Sequence, residues 1–359
     1  MSIPDDDQFE ICVIGTGGGY GESILVHVGK KDWIIVDSCK DPNTGKVLPI
    51  EYLETIGVNV EEDVKLIICT HWDDDHIRGL SFMLSKCKMA SLCISMVSDQ
   101  SKFLQMVSLD HKKLSRVGSM SSTKELMECL KIMCERDLSI VRAVQDKILY
   151  ASRIFTNPVE VISLSPSDES IRLFDYEVSR LIDDYGSPSA KLLQTQNQKS
   201  VVLLLKLGTH RAILGSDLEV TGSNKTGWEC VLANSNTIDG KASYFKIPHH
   251  GSKNGYHIDI WNSLLTTHPE ATLTPWNKNK KLPVAEMVEK YKGHTPNLYI
   301  TSNISPTKAK RRDPDMEKVI NRFNSSIREV RFYRGMIRSR IKVAASKWTT
   351  VLFDSAAKL

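Results

Sequence analysis

A short segment near residue 70 carries four side chains that can bind metal ions, those of His71, Asp73, Asp75 and His76. Imidazole nitrogens and carboxylate oxygens are common ligands of divalent cations, and a bound cation can activate water for hydrolysis near neutral pH. The other interpretation is a solvated acidic loop that contains two histidines by chance. The sequence on either side of the segment distinguishes the two.

The apolar run Leu66–Thr70 stands directly before the segment and predicts a buried strand. A strand that ends in ligands holds them at a fixed point of a rigid scaffold. His71 and Asp73 can project together from the strand end, while Asp75 and His76 occupy the turn or first helical turn that follows. This context favours a metal site over an acidic loop.

Further motifs occur in order along the chain between about Gly15 and Asn254. They are Gly15–Leu25, Ile34–Asp37, His71–His76, the pair Ser200–Leu205 and Ala212–Glu219, and Phe245–Lys253. Together they resemble the motifs of the metallo-β-lactamase fold hydrolases. The second motif of those proteins is usually His-x-His-x-Asp-His. Asp73 replaces its second histidine, as in the soluble hydrolase domain of the ComEC competence proteins, which the segment resembles.

The resemblance implies an α/β protein, an αββα sandwich formed by one domain over residues 1–359. The helical spacing of Leu126, Leu130 and Met133 predicts a helical insertion at about 101–152. A basic C-terminal segment is expected at about 305–359.

The resemblance also implies a centre of two divalent ions that share a hydroxide nucleophile. The implied metal ligands are His71 and Asp73 for one ion, Asp75 and His76 for the other, Asp217 as the bridging carboxylate, and His250. Asp75 and Asp217 would act in catalysis, and Asp37, in the first motif, would support the site. His249 would orient a ligand or contact substrate; a buried hydrogen-bonded pair of histidines at a strand end is the alternative.

One histidine that most of these hydrolases supply is missing. Asn197 and Ser200 stand near its expected place, whereas His210 lies in a predicted hairpin turn away from the site. The first site would therefore be rich in oxygen donors. Such donors favour Mn²⁺ or Mg²⁺ by preference, whereas intrinsic affinity favours Zn²⁺. Zinc and manganese both stay candidates.

The variant motif points to phosphodiester substrates. Ser252 and Lys253 follow the histidine pair and could meet a phosphate, or could be surface residues. Thr274, Asn277 and Thr301, at the ends of later predicted strands, would face substrate. Basic residues near the C-terminus predict either a nucleic-acid-binding face or a solvated surface. They are Lys308, Lys310, Arg311, Arg312, Arg328, Arg331, Arg334, Arg338, Arg340 and Lys342.

Composition sets broad limits. The chain has 359 residues, 41% hydrophobic and 25% charged, as in ordinary globular proteins. Its net charge of +4 does not by itself indicate a nucleic-acid partner. The acidic N-terminus, the lack of a long apolar run and the eight cysteines without a Cys-x-x-Cys pair predict a reduced, cytoplasmic protein without membrane contact. The sequence does not identify a protein partner.

Three functions stay in consideration. The first is a metal-dependent phosphodiesterase or nuclease. The second is a hydrolase of a small metabolite such as a cyclic nucleotide, lactone or thioester. The third is a regulator that binds a partner without catalysis, which is disfavoured because clustered carboxylates are costly to bury without a function.

Overall fold

The computed structural model describes residues 1–18, 21–95, 122–138, 140–183, 197–277, 281–302, 313–323 and 333–359. The strands of one sheet are β1 (Gln8–Gly15), β2 (Glu22–His27), β3 (Trp33–Val36), β4 (Val64–Cys69), β5 (Ser91–Ser95), β6 (Val141–Ala143), β14 (Gly335–Lys342) and β15 (Thr349–Asp354). Those of the other are β7 (Lys147–Ile154), β8 (Asn157–Ser163), β9 (Leu203–Leu207), β10 (His210–Leu214), β11 (Ala242–Lys246), β12 (Leu265–Leu273), β13 (Leu298–Ile300) and β16 (Ala357–Lys358). The helices are α1 (Leu48–Ile56), α2 (Val60–Asp63), α3 (Asp74–Ile77), α4 (Leu80–Lys86), α5 (Ser122–Glu135), α6 (Asp168–Asp183), α7 (Gly227–Asn234), α8 (Ala285–Lys292) and α9 (Pro314–Phe323).

The order of the strands brings several carboxyl ends to one edge of each sheet. The first sheet runs β15-β14-β1-β2-β3-β4-β5-β6, and the second runs β16-β13-β12-β11-β10-β9-β8-β7. Strands β3 to β6 are mutually parallel, as are β10 to β13. Residues that follow parallel neighbours therefore meet at the same edge, where α/β proteins commonly bind ligands.

Side chains that alternate along each strand pack into two different hydrophobic cores, one between the sheets and one under the helices. On β1, Phe9, Ile11 and Val13 face the core between the sheets, whereas Cys12 and Ile14 face the helices on the outer side. Successive side chains of a strand point to opposite faces, so an entirely apolar strand packs on both. The outer core of the first sheet includes side chains of α1, α4, α5 and α6, and that of the second includes α7 and α8. This confirms the predicted αββα sandwich.

The predicted helical insertion at 101–152 is correct only in part. Residues 101–121 lie outside the described part of the chain, and α5 is helical as expected. Residues 141–143 and 147–152 instead belong to strands β6 and β7, so the prediction of a helical segment was wrong for these residues. Their valine and isoleucine residues favour strands. Strand β6 pairs with β5 and β7 pairs with β8, so these residues extend both sheets.

Three of the described basic residues near the C-terminus, Arg334, Arg340 and Lys342, face carboxylates. The shortest ion-pair distances are 2.5 Å for Arg340 and Glu10, 2.9 Å for Lys342 and Asp5, and 3.4 Å for Arg334 and each of Glu51 and Asp354. Arg338 lies over the ring of Phe353, 5.0 Å from its centroid. Lys308, Lys310, Arg311, Arg312, Arg328 and Arg331 lie outside the described residues. In the part of the chain that is described, no helix is long and apolar enough to cross a membrane.

Candidate metal centre

The candidate ligands follow strands of both sheets at the edge where the parallel strands end. His71 follows β4, with Asp75 and His76 in the short helix α3, while Asp217 follows β10 and His250 follows β11. Four residues without glycine's freedom adopt positive φ here, namely Asp37 (59°), Ser216 (45°), His249 (47°) and His250 (53°). Such backbone conformations cost energy and cluster at functional sites.

Two groups of buried side chains meet at this edge. One contains His71, His76 and Asp217, and the other contains Asp75, His76 and His250. Within each group the ligand atoms lie within 4.8 Å of one another. His76 belongs to both groups, so the two sets are adjacent. The predicted ligands are thus brought together, with Asp73 next to the first group rather than in it.

Hydrogen bonds at Nδ1 of His71, His76 and His250 orient each ring so that its Nε2 faces the other ligand atoms. The hydroxyl of Thr70 donates to Asp37 Oδ2 (2.7 Å), so its oxygen is left to accept from His71 Nδ1 (3.0 Å). His76 Nδ1 donates to Asp37 Oδ2 at 2.7 Å. His250 Nδ1 donates to the carbonyl of Thr274 at 3.1 Å. In the neutral form of each ring, Nε2 is then the atom with a lone pair, as in histidines that bind metals through one nitrogen and are oriented through the other.

Three of the converging atoms are buried without a hydrogen-bond partner among the described residues. They are His71 Nε2, His76 Nε2 and Asp217 Oδ1. Unsatisfied buried polar atoms are rare in folded proteins because each loses its hydrogen bonds to water. Divalent cations bound to the two adjacent groups would satisfy all three atoms, so the residues fit a metal centre.

Charge in the site also favours a cation. Burial opposes the charged form of His76, but the Asp217, Asp75 and Asp37 carboxylates outweigh it and raise its pKa well above the ordinary value. In the other direction, burial and then the charge of His76 lower the pKa of His71 to about 4. His71 is therefore neutral at pH 7, the form that binds metal.

The two buried carboxylates are ionised. Burial would raise the pKa of Asp75, but His76 and His250 outweigh it and lower it to about 2. Burial is likewise outweighed at Asp217, where His250 and His76 hold the pKa well below its usual range. The same carboxylates raise the pKa of His250 against the effect of burial. Two adjacent negative charges in a buried space are an environment suited to divalent ions.

Asp73 lies at the margin of the centre. Its Oδ2 is 3.7 Å from His71 Nε2, and 45% of its side chain is exposed. Desolvation of the carboxyl group and then the charge of Asp75 raise its pKa to about 6. The position allows Asp73 to join His71 at an ion, as predicted.

We expect Asp73→His to shift metal preference from Mn²⁺ towards Zn²⁺, because imidazole is a softer donor than carboxylate. Competition binding with both ions would measure the change. Asp74→His is the matched control, since Asp74 points to Arg78 at 2.5 Å and is 42% exposed. An unchanged preference in the Asp73 variant would show that Asp73 does not bind the metal.

His249 stands beside the centre with its own carboxylate. Its Nδ1 is 3.1 Å from Glu219 Oε1, and its Nε2 is 3.4 Å from the Asn197 amide nitrogen. Burial opposes the charge of His249, but Glu219 and Asp217 raise its pKa above the ordinary value. Its side chain is 19% exposed, so it reaches solvent beside the buried ligands. Ser200 follows Asn197 by three residues, and its hydroxyl is buried without a hydrogen-bond partner among the described residues.

The other predicted substrate residues have structural contacts. The Ser252 hydroxyl donates to Asn254 Oδ1 and accepts from the Gly255 amide. Lys253 is 63% exposed and lies 2.6 Å from Glu286. Their roles towards substrate stay predictions, as do those of Asn277 and Thr301.

Three buried charged residues near the centre were not predicted from the sequence. Lys246 and Glu22 form an ion pair, and Thr274 donates a hydrogen bond to Glu22. Lys199 is fully buried, with its Nζ 4.0 Å from the ring centroid of Trp72 and 3.2 Å from that of Phe174. A lysine within or next to an apolar segment was the only sign in the sequence of the burial of Lys246 and Lys199, and it does not identify the residues that they contact.

No protein-family model and no curated protein matches the chain. Solved structures that resemble it include the metallo-β-lactamase fold protein YhfI from Bacillus subtilis, with 13% identity, 67% of this chain and 70% of that chain covered, and a TM-score of 0.34. Another is the hydrolase AbOPH of the β-lactamase superfamily, with 13% identity, 60% and 72% coverage, and a TM-score of 0.36. A metallo-β-lactamase from Hirschia baltica has 8% identity, 62% and 73% coverage, and a TM-score of 0.28. These likenesses are partial and carry no information about substrate or activity.

Proposed function

We propose that the chain is a metal-dependent hydrolase that acts on phosphodiesters, with nucleic acids or nucleotides as the substrate class. The observation that carries this proposal is the convergence of His71 Nε2, His76 Nε2 and Asp217 Oδ1, which are buried without a hydrogen-bond partner among the described residues. Buried ligand atoms held in this way are costly unless a cation satisfies them.

Two adjacent ligand groups support a pair of ions. His71 and Asp217, with Asp73, would hold one, and Asp75, His76 and His250 would hold the other. Asp217 Oδ1 is 3.7 Å from His76 Nε2, and its Oδ2 is 3.7 Å from His250 Nε2. One oxygen of Asp217 could therefore bind each ion. Bound divalent ions would supply an activated water and stabilise negative charge on the reacting oxygens.

The protein side chains then orient the ligands and manage protons. Asp37 fixes His76 directly and fixes His71 through the Thr70 hydroxyl. In its protonated form His249, oriented by Glu219, can donate its Nε2 proton to a leaving oxygen that takes the place of the Asn197 amide group at this nitrogen. Proton donation of this kind is general acid catalysis.

The preference for phosphodiesters rests on the donor set and on the motif. Two of the three residues assigned to the first ion, Asp73 and Asp217, are carboxylates, so that site is rich in oxygen donors, which suit Mn²⁺. The Asp73 variant of the second motif resembles the hydrolase domain of the ComEC competence proteins. A hydrolase of small metabolites would use the same ligands, and it is the alternative that the substrate experiment distinguishes.

Hydrolysis of a panel of substrates tests the proposal. The purified protein would be incubated with Mn²⁺ or Zn²⁺ and with single- and double-stranded DNA, RNA, cyclic dinucleotides and a chromogenic phosphodiester. Lactone and thioester substrates form the comparison set. We expect metal-dependent cleavage of phosphodiesters. Cleavage of lactones or thioesters alone would contradict the proposed substrate class.

Salt dependence separates polymer from small substrates. If Lys310, Arg311 and Arg312 contact a polynucleotide, replacing all three by Ala should reduce the slope of log affinity against log salt by up to about three, because each phosphate contact releases counterions. Hydrolysis of the chromogenic phosphodiester should be unchanged. An unaltered slope would exclude these residues from the nucleic-acid path and would favour small substrates.

A further inference from the structure

A buried ion pair joins the two sheets next to the candidate metal centre. Glu22 is the first residue of β2 in one sheet, and Lys246 is the last residue of β11 in the other. Lys246 Nζ donates to both carboxylate oxygens of Glu22, each at 2.9 Å. The side chains are 2% and 0% exposed, so water does not screen this pair.

The pair is connected to a candidate ligand through one residue. The hydroxyl of Thr274 donates to Glu22 Oε2, and the carbonyl of the same threonine accepts from His250 Nδ1 at 3.1 Å. His250 Nε2, on the other side of the ring, is 3.2 Å from Asp75. A continuous chain of contacts therefore runs from Lys246 through Glu22 and Thr274 to the metal-facing nitrogen.

Glu22 also contributes charge to the centre. Burial would raise the pKa of its carboxyl group, but Lys246, followed by His76 and His250, outweighs burial and lowers it. A well-packed apolar pair often stabilises a protein as much as a buried ion pair does, so stability alone is a weak reason for Glu22 and Lys246. Their position beside His250 suggests a role in metal binding.

We propose that Glu22 is a positioning residue for the metal centre and that Lys246 balances its charge. This inference rests on the proposed function for the presence of a metal ion. Glu22 orients His250 through Thr274 and adds negative potential beside the ion, and Lys246 keeps that carboxylate in place. Charge effects in a buried environment are strong because the local dielectric constant is low.

Two single variants break the same ion pair with opposite changes of charge. Glu22→Gln keeps an oxygen that can accept from the Thr274 hydroxyl but leaves the Lys246 ammonium unbalanced beside a bound cation. We therefore expect Mn²⁺ affinity to fall by roughly 10–100-fold, the size of effect seen for residues around metal ligands. Lys246→Met leaves the Glu22 carboxylate without its counter-charge, so the affinity for Mn²⁺ should be unchanged or higher. The double variant is neutral at this position and should return to within about threefold of the wild-type affinity.

Calorimetric titration of metal-free protein with Mn²⁺ gives these affinities without any measurement of activity. Thermal unfolding without metal is the control for folding, and both single variants should be less stable than wild type. If Lys246→Met does not fold, comparison of Glu22→Gln with the double variant decides, since the double variant must bind Mn²⁺ more tightly.

Equal losses of affinity in both single variants, without recovery in the double variant, would overturn the inference, because a pair that acts only in packing has no dependence on the sign of the charge. If wild-type protein bound neither Mn²⁺ nor Zn²⁺, the proposed function would fail and this inference with it. Wild-type binding together with equal losses would overturn this inference alone.

Discussion

Asp75→Ala is expected to abolish one bound metal ion and hydrolysis with it. The carboxylate is 6% exposed and lies 3.2 Å from His250 Nε2 and 3.6 Å from His76 Nε2. Its removal leaves two imidazoles without their shared carboxylate. The loss of activity should exceed the roughly 10–100-fold effect of residues that only orient ligands. Metal analysis of the folded variant by mass spectrometry measures the ion content directly.

Asp74→Ala is the matched control for this variant. Asp74 is the preceding residue of the same short helix, but its carboxylate pairs with Arg78 at the surface. It should retain wild-type metal content and activity. Undiminished metal content in both Asp75→Ala and His76→Ala would show that the ligand assignment is wrong.

His249→Gln is expected to slow hydrolysis by about 10²–10⁴-fold on substrates whose leaving group needs a proton, the usual contribution of a general acid. Nitrophenolate leaves without protonation, so a nitrophenyl phosphodiester should lose much less activity. Glu219→Gln should show the same contrast to a smaller extent, because Glu219 acts through His249. Rates on the two substrate types and metal content are the measurements.

His257→Gln is the control for the histidine substitution. His257 is 24% exposed, and its Nδ1 is 3.8 Å from an exposed aspartate, Asp259. It should leave both rates unchanged. Equal losses on both substrate types in His249→Gln would argue against proton donation, and loss of metal would show that His249 supports the ligands instead.

Much of the centre could be predicted from local sequence. Strand β4 is apolar and is followed at once by His71, Asp75 and His76, so the element and its ligands are encoded together. The same holds for Asp217 after β10 and for His250 after β11. Parallel neighbouring strands bring their carboxyl ends to one edge, which is why separate motifs predicted one site.

Predictions that depended on longer-range pairing were less complete. The helical spacing seen around Leu126 and Met133 was extended too far, because β6 and β7 are stabilised by strands β5 and β8 rather than by neighbouring residues. The basic residues Arg334, Arg340 and Lys342 are clustered in the sequence, but each pairs with a carboxylate from the first half of the chain, and Arg334 pairs with Asp354 as well.

The sequence by itself predicted the sandwich and the candidate ligands, because its ordered motifs resemble those of the metallo-β-lactamase fold hydrolases. Hydrophobic runs and residue chemistry, which act over a few neighbouring positions, located the strands and the side chains that could bind metal. Only the tertiary structure decided that Glu22 meets Lys246 across 224 positions and that Glu219 meets His249. It also decided which nitrogen of each histidine faces the centre, since that choice depends on Asp37, Thr70 and Thr274. Such pairings depend on how the two sheets pack. The distance between side chains on different sheets cannot be predicted from a local pattern of residues.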